Sequence, residues 1–490
     1  MQPDERRLLR ALAREGLTVT HSGSVYTVRL TTDPSAPAAE ILLPSELPLE
    51  AKAVKQLAQL ASAHHPDGGG VCRVCATPDF HPGDAGVAIG SVVESENILI
   101  PAGTDINCGM RLHVTDLSLD SFLAKKAAFV EKLKGDYLLG TRDVGMSASA
   151  MAAMFTHGIP AWAHEAKREP LGRMSLVDWD QVFREAMSDD LVDGLGRPFP
   201  RVYGQGSLHG SCGWAPPDLV PEDGSPVRDD GLATVGRGNH FVEVQVVDEV
   251  VDKSRAYQWG VRKGQVAFMV HSGSRNVGRY IGGLWATKAR EAWPKGVKYP
   301  ESGIFTISSR SDLFDQYLAA EATASNYGFV NRALLAELLR LRLREVYGPS
   351  VEAPLVYDLP HNITLPENGK WVFRKGACPA HEGQPVIIPG SMGTSSFLCV
   401  GLGNDRWISS ASHGAGRAQS RGAMGRFVRD EAHAKALGLE GVECITLREE
   451  RRIEEAPNAY KDIRPIIDAQ VKQGTIQTVA RMRPLLTFKA

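Results

Sequence analysis

The chain has 490 residues, 43% of them hydrophobic, and its 55 Lys+Arg against 57 Asp+Glu leave a net charge of −2. This composition excludes a disordered chain and an overall basic nucleic-acid binder, so any nucleic-acid contact must come from a local basic patch. Seven cysteines, an odd number scattered over a long chain, argue against a disulfide framework and for a reducing compartment.

The first residues carry Asp4, Glu5, Arg6, Arg7, Arg10, Arg14 and Glu15, with no signal-peptide apolar region. No uncharged apolar run approaches the ~20 residues of a membrane helix, so a cytoplasmic protein with no membrane partner is expected. Residues 4–15 read as a short amphipathic helix with Leu8, Leu9, Ala11 and Leu12 apolar and Gly16 as its stop. Val25–Leu30 alternates as a strand, 31–39 is a linker, and a helix runs over 49–63 through Val54, Leu57, Ala58 and Ala61. Residues 1–70 are therefore expected to form a small helix/strand appendage to a main body of residues 71–490.

From Val71 short apolar runs alternate with Gly-rich turns, Pro78–Gly83 being one. Ile98-Leu99-Ile100 reads as a buried strand broken by Pro101 and Gly103. Helices are expected over 121–135 and 176–189, and 204–232 as a long surface loop, mobile or functional. A strand at 266–270 delivers His271. Residues 313–347 read as two helices broken near Gly328. Strands at 355–359, 371–374, 385–388 and 397–401 and helices at 423–436 and 463–473 complete a mixed α+β chain.

Asp105 and Cys108 lie in the turn after the broken strand, where a carboxylate and a thiolate can be aimed at one point. His240, His271, His361 and His413 sit beside similar Gly- or Pro-bounded breaks. Singly, each has a bland reading as a satisfied core residue. Together, Asp105, Cys108, His240, His271 and His361 suit one or two divalent metals, and ligand softness points to zinc or iron. A second set, Gly390-Ser391-Met392-Gly393-Thr394, follows an apolar run and offers backbone N–H groups to a phosphate, without Walker A spacing. Arg417 and Arg421, four apart beyond His413, would share a helix face suited to phosphate, and His413 could act as a nucleophile. Cys72-x-x-Cys75 near His64 and His65 is half of a zinc ribbon; no second pair follows, so an incidental spacing is expected.

The order of motifs resembles the RtcB family of RNA-splicing ligases: Asp105-Ile106-Asn107-Cys108-Gly109, Gly238-Asn239-His240-Phe241-Val242-Glu243, His271-Ser272-Gly273-Ser274-Arg275, His361-Asn362, Arg374-Lys375-Gly376-Ala377, Pro389-Gly390-Ser391-Met392-Gly393-Thr394, Ser412-His413-Gly414-Ala415-Gly416-Arg417 and Glu455–Asp462. The resemblance runs from about Pro78 to the C-terminus. It implies an α+β fold with a mixed sheet core around a central metal and nucleotide cleft. It also implies a GTP-dependent ligase with two Mn²⁺ ions, which overrides the softness argument. The activity implied is the joining of RNA 3′-phosphate or 2′,3′-cyclic phosphate ends to 5′-hydroxyl ends through a guanylylated His413 and an RNA(3′)ppG intermediate. Metal ligands then fall on Asp105, Cys108, His240, His271 and His361. Guanylate contacts fall on Asn239, Glu243, Asn362, Gly390, Ser391, Met392, Gly393, Gly414, Ala415, Gly416, Arg417, Tyr460 and Lys489, with Arg417 and Arg421 beside the nucleophile. Broken RNA is the implied partner, together with an accessory activator or translation-factor-like protein. Two departures, a shortened loop at Pro101-Ala102-Gly103-Thr104 and Phe373 where the family often has a histidine, suit a divergent repair paralogue. The rival readings are a metal-dependent RNA cyclic phosphodiesterase or phosphatase and a non-catalytic RNA-binding paralogue. Hydrolysis alone needs no covalent nucleotide, so His413 favours ligation.

Overall fold

The computed structural model describes residues 3–83, 86–101, 103–425 and 428–490. Helix α1 (Pro3–Arg14) opens the chain, followed by strands β1 (Leu17–Ser22), β2 (Val25–Leu30) and β3 (Ala39–Leu42). Helix α2 (Ala51–Ala61) packs Val54, Leu57 and Ala58 into the core, and β4 (Gly70–His81) and β5 (Ile89–Glu96) come next. The turn expected over Pro78–Gly83 is strand as far as His81. Cys72 and Cys75 also lie on β4, Cys75 buried in an apolar cluster, and among the described residues neither belongs to a group of three donors able to hold a metal. The shortened loop before Asp105 contains Ala102, which lies outside the described residues. Phe373 is buried in the core.

Next come β6 (Gly109–Ser118), α3 (Leu119–Leu138), α4 (Ala148–Arg168), α5 (Trp179–Met187), β7 (Phe241–Val250), β8 (Gln265–Ser272), α6 (Arg275–Glu291) and α7 (Leu313–Tyr347). Ser118 caps α3, its side chain accepting from Ser121 N at 3.2 Å. α7 is one unbroken helix of 35 residues, not two. Gly328 serves close approach: a Cβ there would lie 3.0 Å from the Asn107 carbonyl oxygen. Residues 204–232 are irregular but anchored, with Leu208 N donating to Asn326 Oδ1 at 2.8 Å and Ser211 N to Thr323 Oγ1 at 2.9 Å on α7. Leu219 and Leu232 are buried while residues 222–226 are exposed, so this is a surface loop pinned by packing and not a free one.

The last third holds β9 (Leu355–Pro360), β10 (Asn362–Glu367), β11 (Lys370–Lys375), β12 (Pro385–Ile388), β13 (Ser396–Gly401), β14 (Ser410–Ser412), α8 (Ile463–Lys472) and β15 (Ile476–Phe488). Of the helix expected over 423–436, residues 426 and 427 lie outside the described residues. The rest holds a 3-10 turn at Arg421–Met424 and a short helix at Glu431–Ala436. Two sheets dominate. One runs β1-β2-β3-β4-β5-β11-β10, the other β9-β6-β8-β7-β15-β13-β12, with Cys444–Ile445 added beside β15. All pairs named are antiparallel except β3–β4 and the Cys444–Ile445 pair. One apolar core lies between the sheets and joins Leu12, Tyr26 and Leu57 to Met110, Val386 and Ile466. The N-terminal strands thus extend the sheet of the main body, and a boundary at residue 70 cuts through a shared core. Among the described residues no helix is long and apolar enough to cross a membrane.

Candidate metal and nucleotide site

The second sheet builds the site by alternation. Its neighbours β9, β6, β8 and β7 are antiparallel, so the ends of β9 and β8 and the starts of β6 and β7 share one edge. His361 follows β9, Cys108 precedes β6, His271 ends β8 and His240 precedes β7, which places all four side by side on that edge. The loops are stitched together: Asn107 N donates to Asn362 O at 2.7 Å and His361 N to Cys108 O at 2.8 Å. Behind them Arg332 of α7, fully buried, donates to Asn107 O at 2.7 Å and Ser272 O at 3.1 Å while Asp358 balances its charge at 2.7 Å.

Cys108 Sγ lies 3.1 Å from both His240 Nε2 and His271 Nε2, His271 Nε2 is 3.3 Å from His361 Nε2, and Asp105 Oδ2 is 3.3 Å from His240 Nε2. These atoms form two overlapping donor groups, Cys108–His271–His361 and Asp105–Cys108–His240, each within 4.8 Å. Burial, reinforced by neighbouring imidazoles, drives His271 and His361 well below the ordinary histidine range, so both present neutral lone pairs. Burial, then the Asp105 carboxylate, raises the Cys108 thiol well above its usual range. Burial pulls Asp105 upward too, but His240 and Lys375 outweigh it and keep the carboxyl below the carboxylate range. Sulfur, imidazole and carboxylate donors turned on one another fit divalent cations, bound with release of the thiol proton. Cys108 belongs to both groups.

Beside this cage opens a cleft of about 450 Å³, lined in part by Asn239, Glu243, Asn362, Ser391, His413 and Lys489. His413 follows β14 and is 9% exposed, its ring 4.8 Å from that of His361. Asp79 of β4 accepts from His413 Nδ1 at 2.6 Å and His413 N at 3.2 Å, and its other oxygen accepts from Thr77 Oγ1 at 2.5 Å. Burial would raise the Asp79 carboxyl, but the His413 hydrogen bond and charge prevail and hold it down. Gly416, at φ +68°, lets the chain pass against β4, since a Cβ there would meet the Asp79 carbonyl at 2.2 Å.

A family model described as tRNA-splicing ligase RtcB matches residues 56–490. The tRNA-splicing ligases RtcB of Pyrobaculum aerophilum and Archaeoglobus fulgidus are 30% and 31% identical, the first over 84% of this chain and 86% of its own, the second over 89% and 91%. The RNA-splicing ligase RtcB of Mycobacterium bovis is 30% identical over 84% of this chain and 95% of its own. The chain belongs to the RtcB family.

In this RtcB-family chain the expected nucleotide residues do not all stand as the sequence suggested. Gly390, Ser391, Met392, Gly414, Ala415, Gly416, Arg417, Arg421 and Tyr460 line the cleft; Gly393 is not among the lining residues and instead faces Pro457. Two N–H groups of the Gly390–Thr394 turn are turned inward: Ser391 N donates to Thr394 Oγ1 at 2.7 Å and Gly390 N to Ser396 Oγ at 3.4 Å. Asn362 braces Asp105, donating to its carbonyl at 3.0 Å. Arg417 and Arg421 share no helix face. Arg417 makes a bridge with Tyr460 and Arg421 begins a 3-10 turn, because the chain leaves β14 through the positive-φ Gly416. Both arginines still converge on buried Glu455, at 3.2 and 3.0 Å, where Tyr460 OH and Lys489 Nζ meet them. Glu243 is buried beside Thr487 and Gln245, each donating at 2.6 Å, and burial raises its carboxyl to about 7 against the pull of those donors and Lys489.

Sequence reasoning missed Asp79, Thr77, Glu455, Arg332 and Asp358. Asp79 had no local signal, since its partner lies 334 residues away. Glu455 opens the Glu455–Asp462 motif, and only the four cationic or hydroxyl groups around it reveal its part.

Proposed function

We propose that the chain is a GTP- and manganese-dependent RNA ligase joining 3′-phosphate or 2′,3′-cyclic phosphate ends to 5′-hydroxyl ends. The observation that carries this reading is His413, fixed by Asp79 between the donor cage and the cleft. Asp79 occupies Nδ1, leaving Nε2 as the nucleophilic nitrogen. His413 Nε2 attacks the α-phosphorus of GTP; a P–N bond forms, the bond to the α,β-bridging oxygen breaks and pyrophosphate leaves. Asp79 stabilises the positive charge the ring gains. An oxygen of the RNA 3′-phosphate then attacks the same phosphorus, breaking the P–N bond and restoring His413, so the RNA end carries GMP in RNA(3′)ppG. The 5′-hydroxyl oxygen attacks the RNA 3′-phosphorus, gives up its proton, forms the phosphodiester and expels GMP. A cyclic phosphate is first opened by water.

Asp105, Cys108, His240, His271 and His361 would hold two Mn²⁺ ions, which supply Lewis acidity and charge neutralisation for the phosphates. Glu243, its carboxylate held by Thr487 and Gln245, suits the guanine edge, with Lys489 alongside. Arg417 and Arg421 keep donors beyond those that Glu455 takes and can meet phosphate oxygens. Incubation with a 3′-phosphate RNA, a 5′-hydroxyl RNA, GTP and Mn²⁺ should yield the joined strand on a denaturing gel. Loss or opening of the terminal phosphate with no joined strand would favour the hydrolase reading.

A further inference from the structure

Helix α1 lies outside the stretch matched by the family, residues 56–490. Its apolar side, Leu8, Leu9 and Leu12, packs into the core of the first sheet. Opposite that side, Arg6, Arg10 and Arg14 follow one another at four-residue spacing, all exposed, with exposed Arg7 beside them. Over eight residues this stripe runs about 12 Å along the helix. Among the described residues none of the three has an acidic partner. Glu15, just past the helix, is paired with Lys55 of α2. Like charges at this spacing oppose the helix, so the stripe works against α1 unless a polyanion meets it.

One ion pair, Glu15 to Lys55, and the hydrogen bonds of Gln56 link the end of α1 to the wall of the cleft. Gln56, next to Lys55, holds Gly83 through both ends of its amide, at 2.8 and 3.0 Å, and Gly83 lines the cleft. The chain as a whole is close to neutral, so this stripe is a local basic feature and not part of an overall excess. From this placement we infer that the arginine face of α1 is an auxiliary contact for the RNA backbone, gripping phosphates of the strand outside the cleft. The inference rests on the reading of the chain as an RNA ligase and deepens it. It is independent of sequence in the RNA, because guanidinium–phosphate contacts position a strand without reading bases.

The test is a triple variant, Arg6→Gln, Arg10→Gln and Arg14→Gln, with Arg→Lys at the same three positions as its control. All three side chains are exposed, and circular dichroism checks folding. Fluorescence anisotropy with a single strand of about 30 nucleotides and one of about 6 is read across a salt series. The expected result is a roughly tenfold weaker binding of the long strand and a log–log salt slope smaller by about 2, at ~0.7 for each phosphate no longer neutralised. The short strand, the Lys control and label transfer from GTP to the enzyme stay at wild-type values. A folded Gln variant with unchanged long-strand affinity and slope overturns the inference. Should the wild type fail to ligate while the weakening of long-strand binding persists, the ligase reading falls and the α1 contact stands.

Discussion

Asp79→Asn separates orientation of His413, the proposed nucleophile, from everything else in the site. The carboxylate receives three donors, Thr77 Oγ1 at 2.5 Å, His413 Nδ1 at 2.6 Å and His413 N at 3.2 Å, and all of its surroundings are buried. Asparagine keeps the shape but turns an NH₂ group toward one of those donors and removes the charge that steadies the ring. A hydrogen bond to a charged partner contributes about 1.5–3 kcal/mol. If that contribution is felt in full where the ring becomes positive, guanylylation slows by about 10- to 150-fold. GTP affinity should change little, because Asp79 is not among the residues lining the cleft. The assay is single-turnover transfer of label from α-labelled GTP, with metal content measured in parallel. Transfer at the wild-type rate with wild-type metal content would refute the orienting role. Thr77→Val, which touches only the other oxygen, should slow transfer less.

Three further outcomes are expected. Cys108→Ala should remove metal from both donor groups at once, as read by elemental analysis, because its sulfur belongs to each; retention of half the metal would contradict the shared thiolate. Arg332→Met should destabilise the protein by about 3–5 kcal/mol in urea titration, since it leaves Asp358 buried with only Arg111 at 3.2 Å, and an unchanged midpoint would rule that out. Guanine binding should follow the Glu243 carboxyl, which burial raises to about 7. Only the anion accepts from the guanine edge, so GTP affinity is full above that value and weakens, by up to about tenfold per pH unit, below it. Glu243→Gln should flatten the profile, and an unaltered slope would exclude Glu243 as its source.

Much of the fold was legible where periodicity and punctuation agree. Val25–Leu30 and Pro385–Ile388 are strands over the full lengths read from the sequence. The donor cage was legible because each donor sits at a Gly-, Asn- or Pro-marked strand end, which is how an antiparallel sheet gathers residues from distant positions at one edge. Gly328 misled because a mid-helix glycine reads as a break, whereas here it admits the Asn107 turn. The middle of α7 is buried all round, so no amphipathic period marked it as continuous. Arg417 and Arg421 misled in the opposite way: their spacing is helical, but the positive φ of Gly416 directs the chain elsewhere and Glu455 reunites them. Asp79 was silent because an orienting carboxylate needs only reach, and no spacing in the sequence encodes a contact made across the fold.

The most direct measurement is incubation of the purified protein with Mn²⁺ and GTP radiolabelled at the α-phosphate, followed by denaturing electrophoresis, beside His413→Ala. A labelled band stable to alkali, lost in acid and missing from the His413→Ala lane is expected of a phosphoramidate on His413. A protein that ligates RNA without ever carrying label, or that labels equally without His413, would contradict the central role given to this histidine.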